Sequence, residues 1–148
     1  MRTAHHRGRL VTATLVLAGL LVSLTAAPAR AQAPAGDAAK QTATQYYMAY
    51  RVAFDKAKSV EELLPYMSAK NKKEMEATPK AERAKMFEFI KMVGTLTDVK
   101  VIKETRTPDG GAKLSVEGID SDKKKMTGTV DVIKEGGAWK IGGESWKS

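Results

Sequence analysis

Apolar residues recur at two periods along this chain, and the change falls at Gly94. Before it the period is helical. Tyr46, Tyr50, Ala53, Phe54 and Ala57 lie at i, i+4, i+7, i+8 and i+11, which predicts one apolar face of a long helix. Arg51, Asp55, Lys56 and Lys58 fall mostly on the other side, and Tyr47 lies beside the stripe, where exposure is expected. Ser59-Val60-Glu61-Glu62 matches a capping box, in which Ser59 and Glu62 satisfy each other's free backbone donors. Val60, Leu63, Leu64 and Met67 would then stripe a short second helix, kinked or ended by Pro65, which cannot donate the i−4 bond. Ser68 is placed to cap a charged turn through Lys70, Lys72, Lys73, Glu74 and Glu76. Thr78-Pro79 reads as a helix start, a capping hydroxyl followed by proline at the first helical position. Met86, Phe89, Ile90 and Val93 form its expected buried stripe, widened by Phe87 and Met92 and closed by Gly94.

After Gly94 the period is two. Val99 and Val101 alternate with Asp98, Lys100 and Lys103; Ala112, Leu114 and Val116 with Lys113, Ser115 and Glu117; Met126, Gly128, Val130 and Val132 with Thr127, Thr129 and Asp131. Pro108-Asp109-Gly110-Gly111, Asp120-Ser121-Asp122 and Glu135-Gly136-Gly137 are turns between them. Trp139 and Ile141 begin a last strand, Gly142-Gly143 permits a bulge, and Trp146 lies near its end. Short turns between consecutive strands favour an antiparallel meander. Its apolar face must be covered, and the upstream helices are available to cover it. The expected fold is therefore α+β, with N-terminal helices packed on a curved four-stranded antiparallel meander in one domain over residues 37–148.

This order, with the final hairpin Glu135-Gly136-Gly137-Ala138-Trp139-Lys140-Ile141-Gly142, resembles the nuclear transport factor 2-like superfamily, also called SnoaL-like or cystatin-like. More narrowly it is similar to small exported members that begin with a Tyr-rich helix and end on a Gly-x-Trp-Lys-Ile strand. The resemblance implies a cone whose mouth serves as an active site, a ligand pocket or a partner surface. Fold alone does not choose among these. Catalytic members use an Asp, often with His or Tyr, inside the cone, and no residue of this chain is carried over into that role.

The N-terminus changes how composition is read. Arg2, Arg7 and Arg9, an apolar stretch over residues 10–24 and Ala29-Arg30-Ala31 match a secretory signal cut after Ala31. The apolar stretch is shorter than the ~20 residues a spanning helix needs. Gly8 separates Arg7 from Arg9, so there is no twin-arginine pair, and no cysteine follows the cut to take a lipid. Residues 32–36, a Pro-containing small-residue stretch, are expected to be a disordered stub. A soluble product, periplasmic or secreted, is expected. Without Arg2, Arg7, Arg9 and Arg30 the formal charge of +8 falls to +4, an ordinary soluble surface rather than a nucleic-acid footprint.

The leader also carries both histidines, His5 and His6, and the chain has no cysteine. The exported domain thus lacks disulfides, the usual metal ligands and the base of a Ser–His or Cys–His system. Asp120-x-Asp122 lacks the spacing of a calcium loop. None of the glycine pairs opens a helix as a phosphate loop does. No cofactor and no metal are expected. Carboxylate chemistry stays open, with Glu88 and Asp131 as acids, although their neighbours place both on polar faces. Tyr46, Tyr50, Phe54, Met126 and Trp139 are the candidate lining of a pocket for a small apolar or amphipathic ligand. Lys123-Lys124-Lys125 reads as a solvated strand entrance. Three functions remain: a non-catalytic exported binding or interaction module, a cofactor-free isomerase or cyclase using a buried carboxylate and a tyrosine, and a structural homodimer. The dimer would associate through the outer sheet face of Lys113, Ser115, Glu117, Thr127, Thr129 and Asp131.

Overall fold

A computed structural model describes residues 41–148. The expected leader, its expected cut and the expected stub at 32–36 lie outside the described residues. Helix α1 (Ala43–Lys56) is followed by two 3-10 turns (Val60–Glu62 and Leu64–Tyr66), α2 (Ala69–Ala77) and α3 (Lys80–Gly94). Strands β1 (Thr97–Arg106), β2 (Ala112–Ile119), β3 (Lys125–Glu135) and β4 (Ala138–Lys147) then form one antiparallel sheet in the order β1-β2-β3-β4. The α+β order and the meander are those that the two periods predict. No helix among the described residues is long and apolar enough to cross a membrane.

The turns arise from local chemistry. Gly136 and Gly137, at φ 57° and 81°, form the two-residue connection from β3 to β4, a left-handed conformation that matches strand twist and favours glycine. Asp120 Oδ1 accepts from the backbone N–H groups of Asp122 and Lys124 at 2.9 and 2.8 Å, so this carboxylate serves its own turn.

Helix α1 lies across the inner sheet face. Tyr46, Tyr47, Tyr50 and Phe54 bury against a core that includes Leu114, Val116, Val130, Val132, Trp139 and Ile141. Its N-terminus carries the fold's one complete capping box among the described residues, between Thr42 and Gln45. Glu104 of β1 also reaches the first turn, accepting from Thr44 N–H at 3.1 Å and from its hydroxyl at 2.8 Å. A carboxylate there meets both free donors and the positive end of the helix. Trp139 Nε1 donates to Gln41 O at 2.7 Å just upstream.

The C-termini of α1 and α3 satisfy each other. Arg51 of α1 donates through Nη2 to Gly94 O at 2.8 Å. Lys91 of α3 donates through Nζ to Phe54 O and Asp55 O at 2.8 and 3.0 Å. Each cation sits at the last-turn carbonyls of the other helix, at the negative end of its dipole. Both also lie over the Phe54 ring, at 4.8 and 4.9 Å from its centroid. Gly94, the last residue of α3, is not left-handed; its missing side chain makes room for Phe54, whose Cζ would stand 3.0 Å from a Cβ there.

Several local expectations are corrected. The Ser59–Glu62 capping box does not form; Ser59 makes no cap bond, and the expected second helix is replaced by the two 3-10 turns. Pro65 withholds its donor there, and the chain instead ties to β4 through a parallel bridge from Met67 to Ile141 and Ser68 N–H to Ile141 O at 3.0 Å. Ser68 does cap α2. Thr78 does not open α3: its hydroxyl donates back to Glu74 O at 3.1 Å and closes α2. The apolar stripe of α3 is turned from its expected direction. Phe87 is buried and Ile90 half-buried, whereas Phe89 and Met92 are 60% and 70% exposed, with Met86 and Val93 also exposed. The reciprocal capping with α1 sets this rotation. Tyr47 is buried, not exposed, and Arg51 is 4% exposed, not solvated. The α1 face is wider than its stripe because the sheet and α3 cover it from two sides.

Gly128 of β3 lies beneath Trp146. A Cβ there would come within 2.6 Å of Ser145 O and 2.8 Å of the indole. Gly128→Ala is therefore expected to cost about 1–3 kcal/mol by overpacking, measured as a lowered urea midpoint with unchanged slope; an unshifted midpoint would show that Trp146 does not press on this glycine.

Candidate functional site

Alternation along β4 begins with Trp139 and Ile141 inward. Continued unbroken, it would send Gly143 and Ser145 inward and Glu144 to solvent. The register shows otherwise. Ile141 pairs with Val132, but Gly143, not Gly142, pairs with Asp131. Gly142 is the extra residue of a bulge, and a bulge re-aims the side chains beyond it. Glu144 now faces inward opposite Val130, and Trp146 opposite Gly128. Asn71 of α2 supports the bulge by donating Nδ2 to Gly142 O at 3.0 Å.

Three donors converge on one oxygen of the re-aimed carboxylate. Glu144 Oε1 accepts from Tyr47 OH at 2.8 Å, Trp146 Nε1 at 2.7 Å and Arg51 Nη1 at 3.3 Å. The pair is well removed from water, with side chains 5% (Arg51) and 17% (Glu144) exposed. Arg51 Nε is buried with no hydrogen-bond partner, so the guanidinium is held by Nη1 and Nη2 alone. Burial, with the neighbouring Glu144 charge, pushes the Tyr47 phenol far above its usual range. Tyr50 is raised too, by burial first and then by Glu144, and Tyr46 by burial and Tyr66. All three phenols therefore stay protonated at physiological pH.

Glu144 borders a cleft of about 320 Å³ together with Tyr50 of α1 and Ile141 of β4. Met67, Met75 and Met86 contribute thioethers from the connection, α2 and α3, and Asn71, Glu74 and Thr78 add polar groups from α2 and its end. Of the five residues read as a pocket lining, Tyr50 borders this cleft. Tyr46, Phe54 and Trp139 are core side chains, and Met126 is half-buried at the start of β3. Glu88 and Asp131 are exposed, and Asp131 pairs with Lys113 at 3.5 Å on the outer sheet face. Glu144 is the inward acid that alternation hides; the Gly142-Gly143 pair is its sequence signal.

The profile of a family described as "Domain of unknown function (DUF4878)" matches residues 36–142. The chain belongs to this family. The match takes in all three helices and β1–β3 and ends at the bulge, so Tyr47, Tyr50 and Arg51 lie within the DUF4878 region and Glu144 and Trp146 just beyond it. No curated protein and no solved structure matches the chain.

The arrangement suits holding a group better than moving a proton. Oε1 already accepts three bonds, and Tyr47 keeps its proton in one of them. Tyr47→Phe is expected to cost about 1.5–3 kcal/mol, as for a hydrogen bond to a charged group. Alkali gives a second check. Unfolded phenols release their protons near the ordinary 10.0, while the folded chain, with raised values, retains them. The stability is thus full below pH ~10 and falls as pH rises beyond it. Urea midpoints should fall across that range, less steeply in Tyr47→Phe; a flat profile would contradict the buried phenols.

Proposed function

We propose that this protein is an exported, non-catalytic binding module of nuclear transport factor 2-like architecture whose cleft between α2, α3 and β4 takes a small amphipathic ligand. The leader-like N-terminus supports export. Helices laid over an open four-stranded antiparallel sheet support the architecture. The observation that carries the binding role is the cleft itself, with three methionines, Tyr50 and Ile141 beside one preset carboxylate. Its size falls at the lower end of ligand sites, and apolar walls with few convergent polar groups are their usual makeup. Methionine walls adapt to irregular ligands at little energetic cost.

One observation favours the enzymatic alternative, a cofactor-free isomerase or cyclase: Glu144 and Tyr47 are a partly buried carboxylate and a tyrosine in contact at 2.8 Å. Tyr47 is wholly buried, however, and does not border the cleft. A general acid must reach the proton's destination, so binding is the better-supported role.

The dye N-phenyl-1-naphthylamine, which brightens in apolar sites, tests this. Saturable one-to-one binding is expected, abolished by Met75→Trp, which fills the cleft, with no loss of the thermal transition. Absent binding, or binding indifferent to Met75→Trp, would remove the cleft as the site.

A further inference from the structure

The cleft's charge runs against that of the chain. Without the four arginines of the expected leader the chain still carries a net +4, yet among the described residues no lysine or arginine borders this cleft, and two carboxylates do, Glu144 and Glu74. Arg51, the cation bonded to Glu144, is occupied on Oε1 and on Gly94 O and does not border the cleft. The ion pair within α2 joins Lys72 to Glu76 at 3.8 Å and leaves Glu74 out.

Glu144 is also preset. Tyr47, Trp146 and Arg51 all bond Oε1, which leaves Oε2 without a hydrogen bond among the described residues, on a side chain that borders the cleft. A group held this way loses little freedom on binding. At 17% side-chain exposure it is shielded enough for a charge-assisted bond to exceed its strength in open water.

We infer that the ligand is a cationic amphiphile, a protonated amine on an apolar body, with the ammonium on Oε2 of Glu144, Glu74 adding attraction, and the body among Met67, Met75 and Met86. The inference rests on the cleft being a ligand site. An anionic amphiphile of the same length would meet two carboxylates and is disfavoured; a neutral one gains only the apolar contacts.

Three probes of one chain length separate these cases: octylamine, octanol and octanoate, titrated into the folded protein by calorimetry at neutral pH. Octylamine is expected to bind about tenfold or more tightly than octanol, the scale of one charge-assisted hydrogen bond, and octanoate more weakly than either. In Glu144→Gln, folded by circular dichroism, octylamine should lose its advantage, the ratio of octylamine to octanol affinity within that variant falling to about one, whatever octanol's own affinity there. Octanol bound as tightly as octylamine would overturn the inference and leave the binding role standing. Failure of all three probes, with no dye binding either, would overturn the binding role itself. Should Glu144→Gln fail to fold, the three-probe order on the unaltered protein still decides.

Discussion

The contact between Arg51 and Glu144 joins three parts of this fold through one side chain. Arg51 stands on α1, its second nitrogen holds the last carbonyl of α3, and its first holds a carboxylate on β4. Two charges removed from water are costly to desolvate, and their attraction offsets this only with good geometry and further bonds. The further bonds are here, from Tyr47 and Trp146 to the carboxylate and from Arg51 to Gly94. Removing either partner strands the other charge. Keeping both ties the end of α3 to α1 and to β4.

The same contact explains which faces are wet. Arg51 and Lys91 exchange places at the two helix ends, with Phe54 between them and Gly94 small enough to admit its ring. This docks α3 by Phe87, Ile90 and Gly94 and leaves Phe89 and Met92 outside. A helical stripe defines a preferred face only until tertiary contacts choose among neighbouring ones. In α3, cation caps made that choice, which no count of apolar residues contains.

Much of the sheet was legible because its determinants are local. Val130 and Val132 alternate with Asp131, Gly136-Gly137 can only turn, and Asp120 binds its own loop. The bulge was legible too, as a glycine pair. Its consequence was not, since one inserted residue reverses the facing of every residue after it. Glu144 thus sits on the polar side of the sequence pattern and on the inner side of the fold. Tyr47 and Arg51 were hidden by a related effect: a helix covered on two sides buries more than the stripe that announces it. Of the pocket residues read from sequence, Tyr50 alone meets the cleft, because the other aromatics were needed to fill the core.

A double-mutant cycle on Arg51→Met and Glu144→Gln, read by urea unfolding, tests most directly whether these two residues act as one unit. Each single change should cost about 3–5 kcal/mol, as for breaking a buried pair. The double variant should cost well under their sum, with a coupling above about 1 kcal/mol. Additive losses, within about 0.5 kcal/mol, would mean that Arg51 and Glu144 stand independently and that the carboxylate is not held for the cleft by this pair.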